Sequence, residues 1–171
     1  MLVVDDHPAN RLAYETVLEQ DYTVFLAESG KQALEVASRI EFVVILLDVR
    51  MPEMDGYETA LELRRRDVTR YTPIVFTSAV DQSLAHVNRG FGVGATDYLF
   101  SPVDPEFLKF KVGTYAQMFL RHEALRLQID RLDQLLRSLK AEIEGNVAPD
   151  LRERVGQLDG ILEELKRQAV G

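Results

Sequence analysis

Short apolar runs alternate with amphipathic segments along residues 2–102. Brief apolar runs bounded by turn residues are typical of strands buried in a parallel sheet, and the segments between them repeat apolar residues at helical spacing. The pattern predicts an α/β protein with a doubly wound parallel sheet. The predicted strands are residues 2–4, 23–27, 42–47, 74–77 and 97–100, and the predicted helices lie near residues 8–20, 30–40, 55–66 and 81–90, with a fifth after Pro102.

After Pro105 the pattern changes to that of one long helix. No proline interrupts residues 106–144, and apolar residues recur there at alternating spacings of four and three, as in a coiled coil or a helical bundle. We therefore expect a helix over residues 105–144 that extends beyond the globular domain. Its apolar seam consists of Leu125, Ile129, Leu132, Leu136, Leu139 and Ile143.

A second helix is predicted after a break at residues 145–149, because Pro149 suits the first turn of a new helix. The interval of eight residues from Ile143 to Leu151 breaks the register of the first seam, which favours a helical hairpin over a kinked continuous helix. Dimerisation through these helices and intramolecular packing of the hairpin are both open. The second seam is Leu151, Val155, Leu158, Leu162, Leu165 and Ala169.

Composition and charge narrow the class of protein. The chain has 171 residues, enough for one domain of about 100–150 residues plus an appendage, and we place the division between residues 1–120 and 121–171. The net charge of −8 argues against a nucleic-acid-binding surface. The absence of cysteine excludes disulfides and thiolate metal sites. No apolar run approaches the roughly 20 residues of a membrane span, so we expect a cytoplasmic protein that binds neither membrane nor nucleic acid.

Four polar residues end strands of the predicted sheet: Asp5 and Asp6 the first, Asp48 the third and Thr77 the fourth. The carboxyl ends of parallel strands share one edge, so the three carboxylates converge if the first and third strands are neighbours. Carboxylates so close need a cation, and a small set of oxygen ligands suits Mg²⁺. A carboxylate beside Mg²⁺ can attack phosphorus and form an aspartyl phosphate. Capping of the first helix by Asp5 and Asp6 is the alternative interpretation.

The motifs at these strand ends resemble the receiver domains of two-component response regulators, over residues 2 to about 120. The resemblance implies a flavodoxin-like, five-stranded parallel sheet of order 2-1-3-4-5, with the last helix extended into a helical stalk or hairpin. The matching motifs are Val3-Val4-Asp5-Asp6, Leu46-Leu47-Asp48, Met51-Pro52, Met54-Asp55-Gly56, Thr77-Ser78-Ala79 and Gly94-Ala95-Thr96-Asp97-Tyr98-Leu99.

The resemblance also implies roles for the residues of the acidic site. Asp48 would be the phosphoacceptor, with Asp6 as a direct Mg²⁺ ligand and Asp5 helping through water. The backbone carbonyl of Arg50 would complete the protein ligands of the metal. Thr77 would bind the phosphoryl group through its hydroxyl.

Two residues at the fifth strand complete the resemblance. Tyr98 would be the aromatic switch residue, whose rotation reports phosphorylation. Ser101, ahead of Pro102, occupies the position where receivers normally carry a lysine. Because a hydroxyl lacks the positive charge of an ammonium group, we expect phosphorylation to be slower or less stable, or its signal to stop short of the fifth strand. Arg50 and His7 are the nearby candidates for compensation, although the histidines are otherwise interpreted as structural or solvated.

Two functions are therefore considered. The first is a receiver that accepts a phosphoryl group on Asp48 from a sensor histidine kinase or phosphotransfer protein, with Mg²⁺ as cofactor. Its signal would pass through a homodimeric helical stalk to an output module not present in this chain, and its only catalysis would be its own phosphotransfer and dephosphorylation. The alternative is a pseudo-receiver, an interaction scaffold not regulated by phosphorylation, which Ser101 favours. A phosphatase of the haloacid dehalogenase type would want a second aspartate where Arg50 stands.

Overall fold

The computed structural model describes residues 1–78, 84–143 and 149–170, with side chains over 1–78, 88–141 and 155–167. Strands and helices alternate along the first hundred residues, as the apolar pattern predicts. The strands are β1 (Leu2–Val4), β2 (Phe25–Ala27), β3 (Ile45–Asp48), β4 (Ile74–Ser78) and β5 (Asp97–Phe100). The helices are α1 (Pro8–Leu18), α2 (Gly30–Val36), α3 (Gly56–Arg64), α4 (Leu84–Gly92), α5 (Pro105–Ile143) and α6 (Pro149–Val170).

The strands form one parallel sheet in the order β2-β1-β3-β4-β5, which confirms the predicted fold and strand order. In the register of this sheet, Val4 of β1 lies opposite Leu47 of β3. Asp48, at the end of β3, lies opposite Thr77 of β4. The carboxyl ends of β1, β3 and β4 therefore meet at one edge, as the acidic site requires.

Both faces of the sheet are buried, because alternate residues of each strand point to opposite faces. One face packs its core around Phe42, Leu47 and Phe76, and the other around Leu46 and Leu108. Burying a side chain of this size is worth about 1.5–3 kcal/mol, so the two cores hold the sheet edge in a fixed place.

Some element boundaries differ from the sequence prediction. β3 begins at Ile45 rather than at Phe42, although Phe42 and Val44 are both buried. An apolar run predicts which residues are buried, and here the buried residues begin before the hydrogen-bonded strand does. Within the predicted helix at 81–90, residues 81–83 lie outside the described residues, and so does Ala79 of the threonine motif.

The turn after β3 brings the backbone of α3 against the end of the strand. A Cβ atom on Gly56 would lie 2.2 Å from the carbonyl oxygen of Asp48, so only glycine fits there. Asp55 caps α3 in a capping box, because its side chain accepts a hydrogen bond from the backbone N–H of Glu58 (2.7 Å) and Glu58 accepts one from that of Asp55 (3.1 Å). These contacts fix the loop that carries Arg50.

The chain divides into two compact units, Met1–Phe119 and Leu120–Gly171. The second unit contains the end of α5 and all of α6, which begins at Pro149 as predicted. Ion pairs join the two helices: Lys140 to Asp159 at 2.5 Å and Lys166 to Asp133 at 2.6 Å. Among the described residues, no helix has both the length and the apolar character needed to cross a membrane. The predicted break at residues 145–148 and the side chains of Ile143, Leu151 and Ala169 lie outside the described residues.

Arg64, at the end of α3, ties two loops of the first unit together. Its guanidinium donates to the backbone carbonyls of Gly94 (2.8 and 3.0 Å), Thr69 (3.1 Å) and Thr72 (2.7 Å). Burial lowers the pKa of Arg64 to about 10, which is still far above neutral pH. The cation is thus held by carbonyl dipoles, and the carbonyls depend on it for their hydrogen bonds.

We predict that Arg64→Met destabilises the protein by about 2–4 kcal/mol, since the carbonyls lose their donor while the side-chain volume is kept. Urea unfolding followed by circular dichroism measures the change. Arg65→Met is the matched control, because Arg65 is exposed and its ion pair within the described part of the chain is with Glu62, one helical turn away. Its effect should stay within about 0.5 kcal/mol. Equal losses in the two variants would contradict the structural role of Arg64.

Candidate functional site

A polar pocket opens at the carboxyl edge of the sheet, where β1, β3 and β4 end. The structure brings five of the predicted site residues into its wall, and it adds residues from the first turns of α1. The five are Asp5, Asp48, Arg50, Thr77 and Ser101. The described residues that line the pocket are Asp5, His7, Asn10, Tyr14, Asp48, Arg50, Thr77 and Ser101.

Asp5 is the buried acid of the pocket, with 2% of its surface exposed. Its carboxylate accepts hydrogen bonds from the backbone N–H of His7 (2.8 Å) and from the amide of Asn10 (3.0 and 3.2 Å). Arg11 donates to the backbone carbonyl of Asp5 at 2.6 Å. The N-cap position of α1 is His7, which makes no side-chain cap bond, so Asp5 is held by donors at the pocket rather than serving as the cap.

Asp48 is half-buried next to Asp5. Burial, followed by the negative charge of Asp5, raises the pKa of Asp48 to about 6, and the backbone N–H of Arg50 opposes this by donating to Asp48 Oδ2 at 3.2 Å. A carboxylate whose ionisation is opposed by a neighbouring acid is stabilised by a cation between them. The oxygen donors of this pocket therefore fit a hard divalent ion.

Asp6 and His7 stand beside this pair at the rim of the site. His7 Nδ1 lies 2.8 Å from Asp6 Oδ1 and 3.8 Å from Asp5 Oδ1, and the three residues offer ligand atoms within 4.8 Å of one another. His7 is exposed. His7 is thus solvated, as expected, and the chain turn after β1 also brings its ring to the acids, where a compensating residue would have to lie.

The opposite wall of the pocket is made by hydroxyl groups. Thr77 is buried at the end of β4, whereas Ser101 is exposed. The hydroxyl of Tyr14 lies 3.5 Å from Ser101 Oγ, and burial raises the pKa of Tyr14 above its ordinary value. Among the described lining residues there is no lysine, so Arg50 and a protonated His7 are the cations available there.

Tyr98 does not line the pocket; it lies on the neighbouring strand β5, among aromatic rings. It stacks on Phe100 at 5.0 Å between ring centroids and packs against Phe76 at 5.6 Å. Its hydroxyl is 3.3 Å from that of Tyr57. Burial and this hydrogen bond raise the pKa of Tyr98 well above its ordinary value, so the phenol stays neutral.

Tyr57 connects Tyr98 to helix α4. The guanidinium of Arg89 lies 4.1 Å from the centre of the Tyr57 ring and 3.5 Å from the carboxylate of Asp55. A guanidinium over an aromatic face is attracted by the ring. The aromatic residue on β5 is thus in contact, through one side chain, with α3 and α4.

Sequence reasoning missed several residues of this region. Asn10 and Tyr14 share one face of α1 at a spacing of four, and that spacing is the signal that could have placed both at one site. Tyr57 and Arg89 carry no comparable signal, because they are separated in sequence and meet only when α3 and α4 pack.

Comparisons with known proteins agree with this geometry. The family described as "Response regulator receiver domain" matches residues 1–112. A probable cyclic di-GMP phosphodiesterase from Vibrio cholerae is 36% identical over 137 residues, covering 78% of this chain and 30% of that protein. The response regulator PleD from Caulobacter vibrioides is 36% identical over 127 residues, covering 74% of this chain and 28% of that protein. The chain thus spans less than a third of the length of these two relatives.

Solved structures show the same fold. The receiver domain of the sensor histidine kinase PA1611 from Pseudomonas aeruginosa has 31% sequence identity and a TM-score of 0.63, covering 68% of this chain and 95% of that one. That crystal structure has a magnesium ion coordinated in the active site cleft. On the family match to residues 1–112 and these relatives, the chain belongs to the response regulator receiver domains of two-component signalling.

Proposed function

We propose that the protein is a phosphorylation-dependent receiver, with Asp48 as phosphoacceptor and Mg²⁺ as cofactor. The observation that carries the proposal is the convergence of Asp48 with buried Asp5 and Thr77 in one pocket. Burial and like charge disfavour the ionised form of Asp48, and a chain with no use for a cation gains nothing from that arrangement.

The metal would be held by Asp5, Asp6, Asp48 and the backbone carbonyl of Arg50. When bound, Mg²⁺ supplies positive charge that offsets the carboxylates and the incoming phosphoryl oxygens. Asp5 is oriented for this by Asn10 and by the backbone N–H of His7.

In the proposed transfer, an Asp48 oxygen bonds to phosphorus as the phosphorus–nitrogen bond of a donor phosphohistidine breaks. The donor imidazole leaves with the bonding electron pair and takes up a proton. Thr77 donates its hydroxyl to a phosphoryl oxygen. A sensor histidine kinase or a phosphotransfer protein is the proposed partner, and hydrolysis of the acyl phosphate resets the site.

The proposed relay runs from Thr77 through β5. Tyr98 changes its packing among Phe76 and Phe100, and its contact with Tyr57 carries the change to Arg89 of α4. The phosphoryl group would shift the equilibrium between two arrangements of Tyr98 only if it is bound more tightly in one arrangement than in the other.

β5 also contacts helix α5 directly, so a change in β5 could be transmitted to α5 as well as to α4. Asp97 accepts hydrogen bonds from Lys111 (2.7 Å) and Tyr115 (2.5 Å) of α5. We propose that a homodimeric helical stalk transmits the change to an output module.

A pseudo-receiver is the second candidate function, and Ser101 is the observation that favours it. One Mg²⁺ leaves the three carboxylates with roughly one uncompensated negative charge, which a phosphoryl group then increases. Ser101 offers a hydroxyl and no charge. A site whose acids are balanced only by neighbouring cations such as Arg50, His7 and Arg11 would accept phosphate weakly, and the protein would then act through protein contacts alone.

Phosphorylation of Asp48 is tested directly by mass spectrometry. With Mg²⁺ and acetyl phosphate, the wild-type chain should gain the mass of one phosphoryl group, which hydroxylamine removes because it cleaves acyl phosphates. Asp48→Asn should gain none. A phosphoryl group that persists in Asp48→Asn, or no adduct in the wild type together with no response of its tyrosine fluorescence to beryllofluoride, would contradict the proposal.

The raised pKa of Asp48 predicts that the stability of the metal-free protein depends on pH. Because its folded pKa is about 6, above its ordinary value of 3.8, the stabilising contribution of the neutral acid is complete below about pH 4 and lost as the pH rises through 6. Asp48→Asn should therefore be more stable than wild type by about 1–2 kcal/mol at pH 8 in EDTA, after allowance for solvent screening, and equal to it near pH 4.

Thermal unfolding with and without Mg²⁺ measures this difference. Mg²⁺ should raise the stability of the wild type at pH 8 and leave Asp48→Asn nearly unchanged. Asp67→Asn, at a side chain that is 98% exposed, is the control and should follow the wild type under all conditions. A difference between Asp48→Asn and wild type that does not vary with pH would show that the carboxylate is not the cause.

Restoring the missing cation tests the role of Ser101. Ser101→Lys should tighten binding of beryllofluoride with Mg²⁺ by about 10–100-fold, because a hydrogen bond between charged groups is worth about 1.5–3 kcal/mol. Tyrosine fluorescence titration measures the affinity. Ser101→Ala, which removes only the hydroxyl, should change it by less than about threefold. Equal affinities of Ser101→Lys and wild type would mean that the site is already compensated.

A further inference from the structure

The second unit is an antiparallel helical hairpin. Lys140 pairs with Asp159, and Asp133, seven residues earlier on α5, pairs with Lys166, seven residues later on α6. Helices α5 and α6 therefore run in opposite directions, with the same register at both ion pairs. Around these pairs the inner face of α5 carries half-buried Ile129 and Leu136, and that of α6 carries Val155 and Leu162.

The hairpin alone buries few apolar side chains. Of the described hydrophobic side chains in residues 120–170, only Leu162 is fully buried. The inner face is shared with the four charged residues of the two ion pairs. Two helices that pack on so narrow a seam gain little stability, since helices in proteins depend on burial of an apolar face.

A second apolar surface lies outside this seam, and we call it the leucine face. Each of its side chains is between 43% and 58% exposed. It splits the predicted heptad seams, because Ile129, Leu136 and Leu162 turn inward while their seam neighbours stay in solvent. The leucine face consists of Leu125, Leu132, Leu135 and Leu139 on α5 and Leu158, Ile161 and Leu165 on α6.

The two halves of the leucine face lie on the same side of the hairpin. At about 100° per residue, the α5 members fall about 40–120° behind Ile129, and the α6 members fall about 60–120° behind Val155. The direction of rotation is the same on both helices. Each rotation is measured about the helix's own axis, starting from the direction that faces the other helix. Because the two axes are antiparallel, equal rotations bring the side chains of both helices to the same side of the hairpin.

The width of the apolar arc indicates how many helices pack together. A two-stranded contact needs a narrow stripe, whereas a helix in a four-helix bundle presents an arc of about 100° or more. The inner face and the leucine face together make an arc of this width on both α5 and α6. The apolar arc of the hairpin is therefore wider than its own two-helix contact uses, as expected of half of a four-helix bundle.

The apolar, uncharged character of the leucine face on α5 favours a second copy of the chain as the other half. The face is about 21 Å long on α5 and about 20 Å wide, which is about 400 Å² in projection, or about half of the roughly 800 Å² per partner of a standard-size interface. We therefore expect a contact that is small but uncharged on its α5 side. The positions of α5 that fall within the arc of the leucine face, from Leu125 to Leu139, include one polar residue, Gln128, and no charged residue. On the α5 half of the face, two copies of a chain with net charge −8 therefore meet without like charges opposed.

We propose that the leucine face pairs two copies of this chain into a four-helix bundle. The proposal deepens the dimeric stalk of the proposed function, because it assigns the contact to Leu132, Ile161 and their neighbours rather than to a continuous two-stranded seam. Phosphorylation of Asp48 plays no part in forming this contact.

The test is the oligomeric state of the full chain by sedimentation velocity over a range of concentrations. The wild type should be a dimer, and Leu132→Glu/Ile161→Glu should weaken dimerisation by at least about 100-fold, since it places four carboxylates in one apolar core. Leu127→Glu is the matched control: Leu127 is 65% exposed on the same helix but outside the leucine face, so this variant should remain dimeric. A monomeric wild type, a dimeric double variant, or equal disruption by Leu127→Glu would overturn the proposal.

Crosslinking covers the case in which the double variant does not fold. The chain has no cysteine, so Leu132→Cys and Leu127→Cys each introduce a single thiol. A bis-maleimide should crosslink two copies through position 132 and not through 127, and the reverse pattern would exclude the leucine face. The phosphoryl adduct on Asp48 is measured separately on the same proteins, so loss of the dimer and loss of the phosphoacceptor are told apart.

Discussion

The repulsion between Asp5 and Asp48 is the constraint around which the first unit is organised. Two carboxylates at adjacent strand ends cannot both ionise cheaply, and the raised pKa of Asp48 expresses that cost. The fold opposes it with oriented donors: Asn10 and the backbone N–H of His7 on Asp5, and the backbone N–H of Arg50 on Asp48. The packing of the two sheet cores holds these like charges together.

The same electrostatic argument gives Ser101 its importance. In a pocket dominated by acids, a change from ammonium to hydroxyl alters the charge balance rather than one hydrogen bond. Tyr14 meets Ser101 at 3.5 Å, so this wall of the pocket is a network of neutral hydroxyls. The site that we propose would therefore hold a cation more readily than an anion.

The helical hairpin obeys a different constraint, which is the width of an apolar arc. Its ion pairs fix direction and register, while its exposed leucines remain available for a further layer. A stalk of this kind would hold two receivers together whether or not they are phosphorylated. Any signal would then change the arrangement of the helices rather than create their association.

The amino-acid sequence alone predicted the α/β class, the alternation of elements and the residues at the strand ends, because apolar patterning and turn chemistry are local properties of the chain. It also determined the start of α6, through Pro149. Tertiary structure decided what depends on packing between distant segments. It joined Asn10 and Tyr14 to the acids, set Tyr57 between Tyr98 and Arg89, and divided each heptad seam into an inner and an outer face. A spacing states which residues share a side of a helix, and only the partner helix decides which side is buried.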